Sequence, residues 1–151
     1  MAFAEDLKNG YKGENIVFDI LSKNDLKPKF NTDIKERKYF DLIDKNNTTY
    51  EIKTHFMAEK TGNLAFEIKS RDKPSGISVT TANVFVSLYT NKVAFLGTEY
   101  VRFLVYSKGK IVYGGDSKLS CLKIISIEDF EVVAKNFGTI ILLGDENYIC
   151  K

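Results

Sequence analysis

The stretch Lys38-Tyr39-Phe40-Asp41-Leu42-Ile43-Asp44-Lys45-Asn46-Asn47-Thr48-Thr49-Tyr50-Glu51-Ile52-Lys53-Thr54-His55 decides how this chain is read. Two runs rich in aromatic and β-branched residues, Lys38 to Asp44 and Thr49 to His55, flank Lys45-Asn46-Asn47-Thr48. Asn and Asp tolerate the left-handed backbone that tight connections need, so the pattern predicts a hairpin. Side chains alternate along a strand, so Glu51 and Lys53 share one face of the second strand and His55 continues it. The antiparallel first strand brings Asp41 opposite them. Asp41 sits among apolar and aromatic neighbours, a position that disfavours a carboxylate without a partner.

Two carboxylates converging on a sheet face make a hard, oxygen-rich site of the kind that suits Mg²⁺ or Mn²⁺. An ammonium beside them is no ligand. It fits next to an activated water, or next to charge that grows on a phosphate under attack.

Outward from the hairpin, the chain alternates helix and strand signals. Phe3, Leu7 and Tyr11 recur at helical spacing, and Ile16, Val17, Ile20 and Leu21 extend the apolar side of a helix ending near Asn24. Gly10 and Gly13 mark a bend or a close approach in it. A third strand is expected over Leu64 to Lys69, then a loop at Arg71 to Gly76. Val84 to Tyr89 and Val93 to Leu96 flank Thr90-Asn91-Lys92 as a second hairpin. Thr98 is placed to cap a helix running to Ser107, and Gly114-Gly115-Asp116 reads as a turn. Leu122 to Ser126 reads as a strand. Ser126 caps a helix that begins Ile127-Glu128-Asp129, its acidic residues in the first turn. Thr139 to Leu143 is compatible with a short strand or a helix. No repeat and no linker interrupts this order, which suits a single mixed α/β or α+β domain over residues 1–151.

Composition narrows the classes. The 151 residues are 44% hydrophobic and 28% charged, and 11 Phe and 8 Tyr supply core anchors, so a disordered chain is excluded. The 22 Lys and Arg against 20 Asp and Glu leave a net charge of +2, too balanced to diagnose or forbid nucleic-acid binding. Two cysteines, Cys121 and Cys150, and one histidine are too few for a zinc ribbon or a disulfide scaffold. The start is acidic and lacks an apolar leader, and no run approaches the ~18 apolar residues of a membrane helix. A reducing, intracellular, cytoplasmic setting without membrane partner or nucleotide cofactor is expected, with the cysteines as free thiols.

Asp41, nine intervening residues and Glu51-Ile52-Lys53 resemble the metal-binding core of the PD-(D/E)XK nuclease superfamily. Glu14, in Tyr11-Lys12-Gly13-Glu14, matches the helical Glu that many members carry before the sheet. Gly62 to Ile68, Lys73 to Ile77 and Thr80-Thr81-Ala82 are similar to small phage-type nucleases and archaeal Holliday-junction resolvases. So are Gly114-Gly115-Asp116 and Ile125 to Phe130, and the resemblance runs over roughly residues 5 to 130. Phe40 stands where the name has Pro, and no Gln-x-x-x-Tyr follows on a helix. The resemblance implies a restriction-endonuclease-like fold, a mixed sheet flanked by helices, and Mg²⁺-dependent DNA cleavage with Mn²⁺ as a substitute. It implies that Asp41 and Glu51 bind the metal with the main-chain carbonyl of Ile52. Lys53 then orients or helps deprotonate the attacking water and screens the phosphate, and Glu14 supports the metal directly or through water. A homodimer, as in the archaeal resolvases, would serve two strands; a monomer would serve nicking or single-strand cleavage.

Other residues are read from their position beside this site. Lys69, Arg71 and Lys73 form one basic run and Lys35, Arg37 and Lys38 another, each suited to a phosphate backbone or to plain solvent. Ser75, Thr80 and Thr81 offer short hydroxyl donors for phosphates, or ordinary loop chemistry. Gly76 allows close approach to DNA, or only a turn. Glu67 stands behind the metal or on the polar face of an edge strand. His55, the lone histidine, is a satisfied side chain or a base. No helix-turn-helix, zinc finger or long recognition loop is visible, so shape and backbone charge remain to be read. Junctions, flaps, nicks or single strands are the expected substrates. A DNA-binding module without chemistry and a protein-interaction factor are the rival classes.

Overall fold

The computed structural model describes residues 2–114 and 119–144, with side chains from residue 10 onward. The elements in chain order are α1 (Ala2–Lys23), β1 (Lys29–Phe30), β2 (Leu42–Ile43), β3 (Thr49–Thr54), α2 (Ala58–Thr61), β4 (Asn63–Ser70) and β5 (Lys73–Pro74). A 3₁₀ turn at Gly76–Ser78 follows, then β6 (Val84–Tyr89), β7 (Lys92–Gly97), α3 (Thr98–Lys108), β8 (Lys110–Gly114), β9 (Ser120–Ser126), α4 (Ile127–Phe137) and β10 (Thr139–Leu142). The fold is mixed α/β, with a six-stranded mixed sheet flanked by helices. That sheet has the order β1-β2-β3-β6-β7-β10, and β5-β4-β9-β8 form a second sheet of four strands. The third predicted strand, β4, thus leaves the central sheet for the second one.

Within the six-stranded sheet β3 and β6 run parallel, with Lys53 opposite Ser87, while the other neighbours are antiparallel. The alternation of β3 and β6 sorts their side chains between two cores. Tyr50, Val86 and Leu88 pack with Val17 and Leu21 of α1. Phe85 and Tyr89 point the other way, to Leu64 and Phe66 of β4, Val101 and Leu104 of α3 and Phe130 of α4. Glu51 and Lys53 belong to this second face, so the predicted polar pair opens into the space between the two sheets.

Both hairpins form. In the first, Asp44 takes the amide protons of Asn46 and Thr48 on its carboxylate, and Asn47 turns with φ +64°. Tyr50 donates its hydroxyl to the same carboxylate at 2.7 Å, which fixes the register from beneath. The first strand is much shorter than its hydrophobic pattern predicts. Residues 34–39 form turns instead, because the Asp33 carbonyl accepts from Glu36 and Arg37 and the Asp33 side chain accepts from Lys35. Thr98 is not the cap of α3. Gly97 holds that position, and the Thr98 hydroxyl is buried without a hydrogen-bond partner among the described residues. Ser126 does cap α4, accepting from the Asp129 amide at 3.1 Å. Thr139–Leu142 is a strand, paired with β7. β8 is a finding of the structure alone: its residues are exposed, and no burial pattern marks it in the sequence. Phe3 and Leu7, Gly115 and Asp116, and Cys150 lie outside the described side chains.

Gly13 resolves the question raised by its place in α1. A Cβ there would come within 2.3 Å of Thr54 Oγ1, so the glycine lets the helix cross β3 closely and sets the next residue, Glu14, over the strand.

Candidate active site

The site begins where β2 fails to continue. β2 pairs with β3 only through Leu42 opposite Tyr50 and Ile43 opposite Thr49. Asp41 extends the ladder by one bond, its amide donating to the Tyr50 carbonyl at 2.8 Å. Beyond it the edge of β3 would be bare. There the Asp41 carboxylate accepts the Ile52 amide at 2.8 Å, standing in for the missing strand. The N–H and C=O of one strand residue point to the same side, so the Ile52 carbonyl faces this edge as well.

Glu51 lies next to Asp41, close enough for each carboxyl group to act on the ionisation of the other. Two carboxylates at such a distance oppose full ionisation of the pair. Burial raises Asp41 above its ordinary value, and the Ile52 amide, the Glu51 contact and the Arg37 charge pull against it. Burial also raises Glu51, joined by the negative charges of Asp41 and Glu14 and opposed by Lys53. Glu14 is raised as well, by burial and by Asp41, with Arg37 opposing. The Glu51 Oε1 is buried and has no hydrogen-bond partner among the described residues. Among the described residues no three carboxylate, imidazole or thiol side chains gather into one metal-binding group. Glu14 acts on the pair through its charge.

Glu51 and Lys53 line a cleft of about 380 Å³ between the sheets, with Lys38, Glu67, Ser75 and Gly76 on its walls. Lys53 is exposed, so its ammonium stands in solvent at the mouth. The rims are tied together. The Tyr39 carbonyl accepts from the Thr80 hydroxyl at 2.8 Å and the Thr81 amide at 3.0 Å. Arg102 of α3 donates to the carbonyls of Ile77 and Thr80, which fastens the 3₁₀ turn to the helix.

The remaining sequence candidates separate. Ser75 and Gly76 are on the cleft wall, and the Ser75 hydroxyl is buried without a partner among the described residues. Gly76 has φ +55°, and a Cβ would sit 2.4 Å from the Glu67 carbonyl oxygen, so its lack of a side chain serves the packing against β4. Thr80 is buried, accepts the Ala82 amide and donates to Tyr39, which leaves its hydroxyl no role at a phosphate. Thr81 is exposed. Glu67 accepts the Ser120 hydroxyl at 2.8 Å, which holds its carboxylate at the cleft wall. Lys69 and Arg71 line a different hollow, with Tyr113, Leu119 and Cys121. Lys73 is exposed one residue before the cleft wall begins at Pro74.

Two cations take the place expected for that basic loop. The turn over residues 34–39 folds Lys38 onto the cleft and brings Arg37 close enough to act on Asp41 and Glu14. Both belong to the basic run ahead of Asp41, but an extended strand there would have carried them away. His55 is a core residue. Its Nδ1 accepts the Ala65 amide at 3.3 Å, its ring packs edge-on to Phe66, and burial lowers its pKa to about 3, helped by the Lys53 charge. Cys121 is a buried free thiol.

Compared with family models, with curated proteins and with solved structures, the chain shows no match. Its chemistry rests on the donor set itself. Two neighbouring carboxyl groups whose ionisation burial opposes are a fit for a divalent ion, whose charge would favour the ionised pair. The groups available to such an ion are the Asp41 and Glu51 carboxyls and the Ile52 carbonyl, with Glu14 beside them.

Proposed function

We propose that this chain is a metal-dependent deoxyribonuclease of the PD-(D/E)XK type, on a restriction-endonuclease-like sheet. The observation that carries this reading is the contact of the Asp41 and Glu51 carboxyls at the open edge of β3, with Lys53 on the same face. Mg²⁺, or Mn²⁺ in its place, would be held by Asp41, Glu51 and the Ile52 carbonyl. When bound it supplies a Lewis acid for the phosphate and a lowered pKa for water. The protein's own residues do the rest. Lys53 orients the attacking water and offsets the charge that grows on the phosphate oxygens, an interaction strongest in the transition state. Lys38 and Arg37 neutralise the strand as it enters, and Ser75 offers a hydroxyl from the opposite wall. Glu14 would support the ion, directly or through water.

The substrate in this reading is DNA selected by structure, such as a junction, flap or single strand, with little sequence preference. The sheets and the first helix are committed to the site, and no further described element stands ready to enter a groove. A homodimer would present two such sites to a branched substrate, and the cytoplasm is the setting that holds DNA for it.

The test is cleavage of junction, flap, single-stranded and duplex DNA at one fixed salt, each in several sequences, with Mg²⁺ or with EDTA. Cleavage should need Mg²⁺, and Lys53→Ala should lower turnover by more than about 100-fold while DNA binding stays near wild type. Binding without cleavage by the wild type would favour a non-catalytic module. Neither binding nor cleavage would favour a protein-interaction factor.

A further inference from the structure

We propose that a second cavity, on the far side of Lys53 from the carboxyl pair, receives an unpaired nucleobase of the strand being cut. The proposal rests on the nuclease reading and narrows its substrate to DNA with single-stranded character at the scissile phosphate.

The cavity measures about 470 Å³ and is lined by Lys53, which also lines the carboxylate cleft. Its floor is the outer face of the four-stranded sheet. Ala65 lies opposite Ile124, and Leu122 lies opposite Val112, so alternation sets these apolar side chains on one surface. Met57, about half exposed at 47%, forms a wall. Asn63 is one of the polar groups beside them, with Thr54, His55 and Thr61; it is half-buried, and its side-chain amide makes no hydrogen bond among the described residues. A hollow with an apolar floor and a few polar groups on its walls, one of them an unbonded amide, is matched to a flat heteroaromatic ring that has donors and acceptors on its edge.

Continuity with the cleft names the occupant. A phosphate held at Lys53 has its neighbouring nucleotide only about 3.4 Å further along a stacked strand. The neighbour's base therefore lies within reach of the cavity that shares Lys53. A base paired in duplex shows only its edge, and its faces are covered by its neighbours. To fill a side cavity it must already be unpaired, as in a flap or a single strand, or be extruded at a cost.

The experiment uses the full chain with Ca²⁺ in place of Mg²⁺. Fluorescence anisotropy follows three labelled probes: a single-stranded oligodeoxythymidylate, the same strand with abasic residues, and a blunt duplex of equal length. The wild type should bind the thymidylate about tenfold tighter than the abasic strand. Ala65→Phe, which fills the cavity, should erase that difference and leave duplex binding unchanged. Asn63→Ala, a smaller change at the rim, should reduce it. Equal binding of the two strands by the wild type overturns the proposal without any variant. So does an Ala65→Phe protein that keeps the preference, or one that turns from dimer to monomer with strand binding intact, which would seat a second copy in the cavity. If DNA is cleaved in a Mg²⁺- and Lys53-dependent way with no base preference, the cavity proposal alone falls. If the wild type neither binds nor cleaves DNA, the nuclease reading falls with it.

Discussion

The Asp41 carboxylate accepts the Ile52 amide at 2.8 Å at the edge of β3 where β2 has ended. A side chain here does what a strand would otherwise do, and so the backbone next to Glu51 stays open on that side. The same bond holds Asp41 against Glu51, whose ionisation the Asp41 charge and burial make costlier.

That cost gives the metal-free protein a signed pH dependence. Asp41, Glu14 and Glu51 are all raised above the ordinary carboxylate range in the fold. From that range upward the folded chain binds more protons than the unfolded one, so stability falls as pH rises. Thermal unfolding in EDTA should show Tm declining from pH 5 to pH 8. Mg²⁺ or Mn²⁺ binds the ionised pair, so the gain in Tm on adding it should be at least about twofold larger at pH 8 than at pH 6. A metal effect that shrinks with rising pH would contradict the assignment.

His55 should titrate in the opposite sense. Its folded pKa lies near 3, below the unfolded value near 6.5. The stability it contributes is complete above about pH 6.5 and is lost as pH falls through that window toward 3. As the only histidine it is a clean probe for proton NMR. Its ring resonances should stay at their neutral positions from pH 8 to pH 5. A midpoint near 6.5 would show an exposed side chain.

The cations that meet DNA are expected to be those of the turn ahead of Asp41. Arg37→Ala with Lys38→Ala should flatten the slope of log K against log salt, by about 0.7 for each phosphate of a single strand that the variant leaves without its cation. Lys69→Ala with Arg71→Ala should change it less, because these two line another hollow. The reverse ranking in a salt titration would move the strand to the other rim.

The contrast between those two basic runs shows what the sequence carries. The Glu51, Lys53 and His55 face follows from the two-residue period of any strand, and the hairpin from Asn46-Asn47, so both are readable locally. Ser126 as a cap is readable for the same reason. What decides the position of Lys38 is the Asp33 turn, a set of local hydrogen bonds that overrides the strand pattern of Tyr39 and Phe40. The placement of β4 in a second sheet depends on its partner β9, more than fifty residues away, which no local period encodes. Thr80 and Ser75 look alike as loop hydroxyls, and only tertiary contacts make one a buried brace and the other part of the cleft wall.

The most direct measurement is an anomalous-difference map from crystals of the full chain grown or soaked with Mn²⁺. The account predicts a peak bonded to the Asp41 and Glu51 carboxylates and the Ile52 carbonyl, at about 2.0–2.2 Å as for a small octahedral dication. The same map from Asp41→Asn crystals should lose it. A saturating Mn²⁺ soak that leaves those two carboxyls in contact with no ion between them would contradict the account.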